Sequence, residues 1–171
     1  MKVVKYLRGI KISAGFTLME LIISMGILMV LISILMTVFG QILDVQLESK
    51  ATSTVDQNGR YIMSRLIHDM QRASSITTPP TAGQQTNTLL VVINSIDYTY
   101  SLDSNGNLVL TNSNGSENIN NYDANISALT FKRLGNNDSN DNVQVTFTVS
   151  SRTQKASGTE QKTFQTTVGR Q

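Results

Sequence analysis

Residues 21–40 carry no charged side chain and have the sequence LIISMGILMVLISILMTVFG, in which twelve of twenty residues are Leu, Ile, Val or Phe. At ~1.5 Å per residue, a helix of this length spans about 30 Å, which is the thickness of the hydrocarbon core of a bilayer. The large apolar side chains favour insertion by roughly 4–7 kcal/mol, whereas one acid near the end of the run costs at most ~3 kcal/mol. The stretch therefore predicts a membrane-spanning helix with Glu20 at its entrance.

The distribution of charge along the chain predicts the orientation of this helix. The first fifteen residues hold four basic side chains and no acid, whereas Asp44 and Glu48 follow the apolar run. By the positive-inside rule, the N-terminus lies in the cytoplasm and the rest of the chain outside, in a single-pass protein of the cytoplasmic membrane. A secretory signal peptide is the alternative, but the run exceeds the usual ~7–15 apolar residues and no A-x-A-like site follows it.

The composition argues against catalytic, metal and nucleic-acid sites. The 171 residues include no Cys and one His, so thiol nucleophiles are absent and His-based triads or multi-histidine metal sites are hard to build. Neither a phosphate-binding glycine loop nor a nucleophile elbow occurs. Beyond residue 15 the basic residues are scattered singly, apart from Lys132 and Arg133. We therefore expect that the chain is not an enzyme, holds no cofactor and does not bind nucleic acid directly.

Glu20 is an ionisable group at the edge of an apolar helix, where such groups are costly and usually have a partner. The nearest base, Lys11, is nine residues away and beyond the reach of an i,i+4 pair. A cut between Gly15 and Phe16 would create an α-ammonium four residues before Glu20, close to the positive end of the new helix. The alternative is a carboxylate that stays among the lipid headgroups.

The string around Glu20 resembles the class III signal of type IV prepilins and type II secretion pseudopilins. The similar features are a short basic leader ending in Gly15, then Phe16, Thr17, Leu18, the apolar Met19, Glu20 and a long apolar helix. The resemblance implies that a prepilin peptidase cuts after Gly15 and methylates the new amine of Phe16. It also implies that Glu20 serves assembly, by pairing with the N-terminal amine of a neighbouring subunit.

An amphipathic pattern extends the helix beyond the apolar run. Apolar residues recur at helical spacing at Leu47, Ala51, Val55, Ile62, Leu66, Met70 and Ala73. The expected polar face comprises Arg60, Arg65, Asp69 and Arg72. The pattern predicts a helix over residues 17–75, and its stripe is interrupted at Asn58 and Gly59. Because glycine costs up to ~1 kcal/mol in a helix interior, a bend or an unwound segment is expected at Gly40 or Gly59.

Residues 57–74, QNGRYIMSRLIHDMQRAS, resemble the second helical half of PilW-like minor pilins and J-type pseudopilins. The pattern is an Asn-Gly-Arg-aromatic start over residues 58–61 and a Leu-x-x-Asp-x-x-x-Ala finish beginning at Leu66. Residues 93–110 and 164–171 are similar to the early hairpin and the closing strand of the same families. His68 lies within the helical stretch and is expected to be a surface or boundary residue rather than a ligand or base.

After Pro80 the apolar period changes toward two, which predicts strands. The expected strands are Leu89–Ile93, Tyr98–Leu102, Leu108–Leu110, Leu129–Leu134, Val143–Val149 and Thr163–Val168. Asn105 and Gly106 separate the second from the third, and this dipeptide suits a type I′ turn. We expect an antiparallel sheet packed on the second half of the helix, which is an α+β, pilin-like fold.

The expected division of the chain is a cleaved leader (1–15), a transmembrane helix half (16–40), an amphipathic helix half (41–78) and a β-sheet domain (79–171). Calcium is a weaker alternative for the oxygen-rich loop 136–142, with Asp138, Asn140 and Asp141 as candidate ligands. The loop lacks the glycine and the distal Glu of an EF-hand, and Asn/Asp runs are ordinary connectors between strands. We therefore expect no metal site.

Taken with the resemblance, the chain is expected to be a minor pilin or pseudopilin, a structural subunit of a pilus, a type II secretion system or a DNA-uptake filament. The alternative is a single-pass, membrane-anchored extracytoplasmic binding domain that does not polymerise. Expected partners are a prepilin peptidase, other pilin or pseudopilin subunits bound through the N-terminal helix, and membrane lipid.

Overall fold

The structure, a computed structural model, describes residues 15–134, 142–155 and 157–169. Its elements are α1 (Leu18–Gln71), β1 (Ser75–Thr78), β2 (Gln85–Thr86), β3 (Leu89–Ile93), β4 (Ile96–Leu102), β5 (Leu108–Asn112), β6 (Gly115–Asn118), β7 (Ala124–Arg133), β8 (Asn142–Lys155) and β9 (Gly158–Gly169). One long N-terminal helix with antiparallel sheets confirms the predicted α+β fold. The chain divides into two compact units, one ending at Ile42 and the other beginning at Leu43.

The first unit, residues 15–42 of the described chain, has no core of its own. It contains the first part of α1, and every one of its described residues is exposed. The exposed side chains include large apolar ones such as Met36, at 68%, and Ile27, at 66%. A continuous apolar surface of this kind marks a site of contact with a membrane or with other proteins.

The second unit contains the rest of α1 and two antiparallel sheets, although the sequence predicts one. The five-stranded sheet has the order β1-β3-β4-β5-β6, and the four-stranded sheet has the order β2-β7-β8-β9. Each of the six expected strands occurs, most of them longer than expected. The extra strands β1, β2 and β6 are short and polar, so they carry no apolar alternation that a sequence pattern could detect.

The core of the second unit combines side chains from α1 and from both sheets. In β8 the alternation predicted for Val143–Val149 is confirmed, because all four apolar side chains are fully buried. From α1 the largest contributions come from Val55, Ile62, Leu66 and Met70. α1 ends at Gln71, earlier than the expected residue 75, because Ser75–Thr78 form β1 and pair with β3 instead.

Gly59 is a site of close packing, and the helix is not unwound there. α1 continues through both Gly40 and Gly59. A Cβ atom on Gly59 would lie 2.1 Å from Cζ of Phe164 on β9. The Phe164 ring stacks on Phe147 with 5.6 Å between the ring centroids, which limits its freedom to move away. The helix therefore carries glycine here because β9 approaches its backbone closely.

Asn58, at the same interruption of the apolar stripe, is buried and satisfied. Its Nδ2 donates to the carbonyl oxygen of Thr54 at 2.8 Å, and its Oδ1 accepts a hydrogen bond from the backbone N–H of Asn121 at 2.8 Å. The gap in the apolar pattern is thus part of the buried face, where an amide anchors a loop that precedes β7.

The turn between β4 and β5 is not the expected type I′ turn. Gly106 has a φ of 76°, but Asn105, although it lies in the described part of the chain, has no positive φ. The Asp103 carboxylate accepts hydrogen bonds from the backbone N–H groups of Asn107, at 2.7 Å, and Asn105, at 2.9 Å. These bonds hold the pKa of Asp103 below its ordinary value. The side chain of Asp103 therefore builds a wider turn, which starts at this residue and ends at Asn107.

Two consecutive positive φ values occur instead in the two-residue loop between β3 and β4. Asn94 has a φ of 50° and Ser95 one of 64°, and the flanking Ile93 and Ile96 face each other in the ladder. Asn adopts positive φ readily, but Ser does so rarely. Because the dipeptide Asn-Ser is not typical of a two-residue hairpin turn, the sequence did not predict this one.

Candidate functional site

The candidate processing site, the bond between Gly15 and Phe16, lies just before α1 in backbone that belongs to no helix or strand. The Phe16 side chain is 75% exposed, and among the described residues no atom beyond Gly15 and its neighbours lies within 4 Å of the position that a Cβ on Gly15 would occupy. Proteases cut most readily where the chain is exposed and outside regular secondary structure. The bond therefore has the accessibility that cleavage requires.

Thr17 caps the N-terminus of α1. Its Oγ1 accepts a hydrogen bond from the backbone N–H of Glu20 at 3.2 Å, and its carbonyl oxygen accepts one from the backbone N–H of Leu21 at 3.1 Å. Thr-x-x-Glu is the sequence of a capping box, in which the acid sits in the first turn near the positive end of the helix dipole. A cut after Gly15 would leave both capping residues on the mature chain.

Glu20 itself is exposed, and no cationic side chain in the described part of the chain lies within 4 Å of its carboxylate. Gly15, Phe16 and Glu20, the three predicted processing and assembly residues, thus lie together at the start of α1 in an open setting. The helix terminus supplies only partial positive charge to the carboxylate, so a full positive partner would have to come from outside the described residues.

The helix that follows is a candidate membrane anchor. By length and composition α1 qualifies as a membrane-spanning helix, with a mean hydropathy of 2.7 over its most apolar 18-residue window and none of that window buried within the chain. Lipid or other apolar helices are the surfaces that could cover side chains exposed on every side. Two hydroxyls in the segment are satisfied internally: Ser24 donates to the carbonyl of Leu21 at 2.9 Å and Thr37 to that of Ser33 at 3.0 Å. They therefore add no unsatisfied polar group to an apolar environment.

Asp69 lies in a second, buried polar cluster, so the prediction that it belongs to the polar face of the helix is wrong. The Asp69 side chain is 5% exposed and accepts hydrogen bonds from the Tyr100 hydroxyl on β4 and from Nε of Arg65, at 2.9 Å. Nδ1 of His68 lies 3.1 Å from its other oxygen. Burial raises the pKa of Asp69, but the hydrogen bonds from these three side chains outweigh burial and hold the pKa below its ordinary value. Burial and the bond to Asp69 raise the pKa of Tyr100.

The Asp69 cluster ties α1 to the five-stranded sheet and is structural. Asp69 lies three residues after Leu66 and four before Ala73, so this spacing could have indicated burial, although the residue type led us to expect it on the polar face. His68 is exposed, with 60% of its side chain accessible, which confirms that it is a surface residue. A buried acid that accepts hydrogen bonds from a tyrosine and an arginine stabilises the contact between helix and sheet.

The described residues contain no metal centre. No group of three or more His, Cys, Asp or Glu side chains among them is arranged to hold a metal ion. The calcium candidates Asp138, Asn140 and Asp141 lie outside the described residues, so that alternative stays a prediction.

Comparison with known proteins adds no relative: the chain matches no family model, no curated protein and no solved structure. The resemblance to prepilins therefore rests on the motif at residues 15–24 and on the helical stretch at residues 57–74. The functional interpretation depends on the chemistry of those residues.

Proposed function

We propose that this chain is a minor pilin or pseudopilin, a structural subunit of a type IV filament such as a pilus, a secretion pseudopilus or a DNA-uptake filament. The observation that carries the proposal is the arrangement at the start of α1. An exposed Phe16 precedes a capped helix, Glu20 lies in its first turn, and the next twenty residues carry no charge, are mostly apolar and are all exposed.

The precursor is inserted in the cytoplasmic membrane with its N-terminus in the cytoplasm. Four basic residues precede the apolar run and two acids, Asp44 and Glu48, follow it, which favours this orientation by the positive-inside rule. A prepilin peptidase in that membrane cuts after Gly15 and methylates the new amine of Phe16. The sheet domain, which begins outside the apolar run, then faces away from the cytoplasm.

Glu20 selects the correct position of each subunit in the filament. Cleavage produces an α-ammonium on Phe16, and the Glu20 carboxylate of a neighbouring subunit pairs with it among packed apolar helices. In such surroundings each charge is costly alone, so a helix that is displaced by one turn leaves two unpaired charges. The chain is thus a substrate of the peptidase and has no catalytic role of its own.

Mass spectrometry of the protein isolated from its own cells tests the processing step. The expected mature N-terminus is methylated Phe16, and Gly15→Leu should leave the full-length precursor in the membrane, because a large side chain replaces the residue on which the peptidase acts. A wild-type protein that keeps its encoded Met1 and still works normally would instead favour a membrane-anchored binding domain that does not polymerise.

The assembly step is tested separately by Glu20→Ala, with Asp44→Ala as the matched loss of one exposed acid from the same helix. Glu20→Ala should be cleaved to a normal extent but enter sheared filaments at a small fraction of the wild-type level, because the α-ammonium loses its partner. Asp44→Ala should be incorporated normally. Equal incorporation of both variants would remove the assembly role assigned to Glu20.

A further inference from the structure

An open cleft in the second unit is lined by residues from both sheets. It lies beside the turn between Asp103 and Asn107, the loop 119–123 and β8, and its volume of about 410 Å³ falls within the ~300–1,000 Å³ typical of small-ligand sites. Five of its seven lining residues are asparagines, and the other two are Tyr122 and Arg152. The lining includes no carboxylate and one cation.

Internal hydrogen bonds hold the wall of the cleft. Asn120, which is 6% exposed, accepts a hydrogen bond from the backbone N–H of Leu108 at 2.7 Å, and its Nδ2 donates to the carbonyl of Ala124 at 2.9 Å. Asn107 donates through Nδ2 to the Asp103 carboxylate at 2.8 Å. These two amides fix the cleft before any ligand arrives, which reduces the ordering that binding would require.

Asn125 fits closely against the turn on the opposite wall. With its amide oriented to satisfy both atoms, its nitrogen donates to the carbonyls of Asn105 at 2.8 Å and Gly106 at 3.1 Å. A Cβ on Gly106 would collide with the Asn125 side chain. The turn and β7 therefore form one preformed surface.

Tyr122 and Arg152 also line the cleft. The Tyr122 side chain is 83% exposed, and the guanidinium carbon of Arg152 lies 5.2 Å from the centroid of its ring. Nη2 of Arg152 also donates to the carbonyl of Asn105 at 3.2 Å. A large aromatic ring is thus held at the surface by a cation, although it fills no part of the core.

A second cleft of about 390 Å³ shares Asn118 with the first. Its lining includes the amides of Gln57 and Asn121 and a second exposed aromatic ring, that of Tyr61 at 53%. Two adjoining clefts, each combining amides with an exposed tyrosine, suit an extended ligand with a repeated unit.

We propose that the two clefts bind an oligosaccharide, with one sugar ring packed on Tyr122. Sugar hydroxyls both donate and accept hydrogen bonds, and an exposed asparagine amide such as that of Asn118 supplies a donor and an acceptor side by side. The C–H face of a pyranose ring is apolar and packs on an aromatic ring. A single cation is too few for a nucleic acid, and the low apolar content disfavours a peptide that binds through hydrophobic anchors.

This site does not depend on the role of Glu20 or on cleavage after Gly15, because all of its residues lie in the second unit. The two proposals can therefore fail separately. A protein that is never cut could still bind sugar, and a filament subunit could be assembled without doing so.

Binding is tested with the full chain in phospholipid nanodiscs that are free of glycoside detergents. A glycan array identifies candidate ligands, and saturation-transfer NMR with lactose, chitobiose and a galacturonic acid trimer then reports which sugar protons contact the protein. Tyr122→Phe keeps the ring and should bind within about threefold of the parent, whereas Tyr122→Ala should weaken binding at least about tenfold.

Asn118→Ala should also weaken binding, because this amide borders both clefts, and Asn87→Ala serves as a matched loss of an exposed asparagine elsewhere. Tyr122 and Asn118 are exposed, so these variants should fold normally, and circular dichroism checks this. The proposal is overturned if the array and all three sugars give no binding, if only peptides or nucleic acids bind, or if Tyr122→Ala binds as the parent does.

Discussion

The two parts of α1 have the same backbone conformation and opposite surroundings. In residues 18–42 every side chain is exposed and apolar residues lie on all faces, whereas in residues 43–71 a single stripe is buried against strands. A helix that is apolar on every face requires an apolar medium, and an amphipathic one requires only a single packed face. The two halves of this helix thus differ in the surroundings they require and not in their secondary structure.

The largest expected effect comes from placing charge in the apolar half. The double variant Leu28→Arg/Leu31→Arg should lose about 5–7 kcal/mol of insertion free energy, since an arginine near the centre of a spanning helix costs ~2.5–3.5 kcal/mol. Most of the protein should then be extracted from membranes by alkaline carbonate. The matched variant Thr52→Arg/Gln71→Arg, which changes exposed positions of the other half, should remain embedded. If both variants remain embedded, the apolar half is not the anchor.

In the half of α1 that packs on strands, the substitution expected to cost most stability is at the buried acid Asp69. Asp69→Asn should lower the free energy of unfolding by about 3 kcal/mol, because the buried carboxylate accepts charged hydrogen bonds that an amide cannot replace. Asp97→Asn, an exposed acid on the same strand as Tyr100, should change it by less than ~0.5 kcal/mol. Urea unfolding followed by near-ultraviolet circular dichroism measures both values, and equal stabilities would show that the Asp69 cluster is not structural.

The Asp69 cluster should also make stability depend on pH. The pKa of Asp69 is lowered in the folded chain, so the stabilisation is fully present above the ordinary pKa of an aspartate and is lost as pH falls below about 4. The difference in unfolding free energy between the parent and Asp69→Asn should therefore be constant near neutral pH and shrink in acid. A difference that grew on acidification would contradict the assigned direction.

The sequence predicted the helix and the strands whose apolar residues recur at a regular spacing, and it missed the strands that lack such a pattern. The apolar alternation in β8 and the apolar stripe of α1 were sufficient to predict these two elements, because each pattern arises from burial of one face. The split into two sheets was not predictable, since it depends on short polar strands such as β6, whose residues are all exposed. Residue type suggested a bend or an unwound segment at Gly59 and a polar face for Asp69. The helix is unbroken at Gly59, where Phe164 packs against it, and Tyr100 holds Asp69 in the core.

The residues of the candidate processing site could be proposed from the sequence alone, whereas the clefts of the second unit could not. Gly15, Phe16 and Glu20 fall within six consecutive residues, so a motif alone could propose them as a site, and the structure adds only the cap and the exposure of Phe16. The clefts around Tyr122 combine residues from the turn after β4, from α1 and from β8. No pattern in the chain indicated that their asparagines would converge.

Two of the three glycines of α1, Gly40 and Gly59, provide a smaller test of the same comparison. Gly59→Ala should destabilise the second unit by ~1–3 kcal/mol, because the new methyl group collides with the Phe164 ring. Gly40→Ala meets no atom within 4 Å and should leave the stability of the sheet domain unchanged. Adding Phe164→Leu to Gly59→Ala should recover part of the loss, since the smaller side chain can move away. Equal effects at both glycines would indicate helix propensity and not packing.

The smallest expected effect concerns the cap that begins the apolar half. Thr17→Ala removes the acceptor for the backbone N–H of Glu20 and should weaken the first turn by ~1 kcal/mol, which corresponds to about fivefold faster hydrogen exchange at that amide. Thr17→Ser keeps the oxygen and should exchange as the parent does. Thr37→Ala, whose hydroxyl bonds within the helix interior, should leave the Glu20 amide unaffected. Thr17 and Glu20 both remain after a cut at Gly15, so the Glu20 amide should exchange at the same rate in the precursor and in the mature chain. If the amide were protected in only one of the two, the cap would depend on processing and this prediction would be wrong.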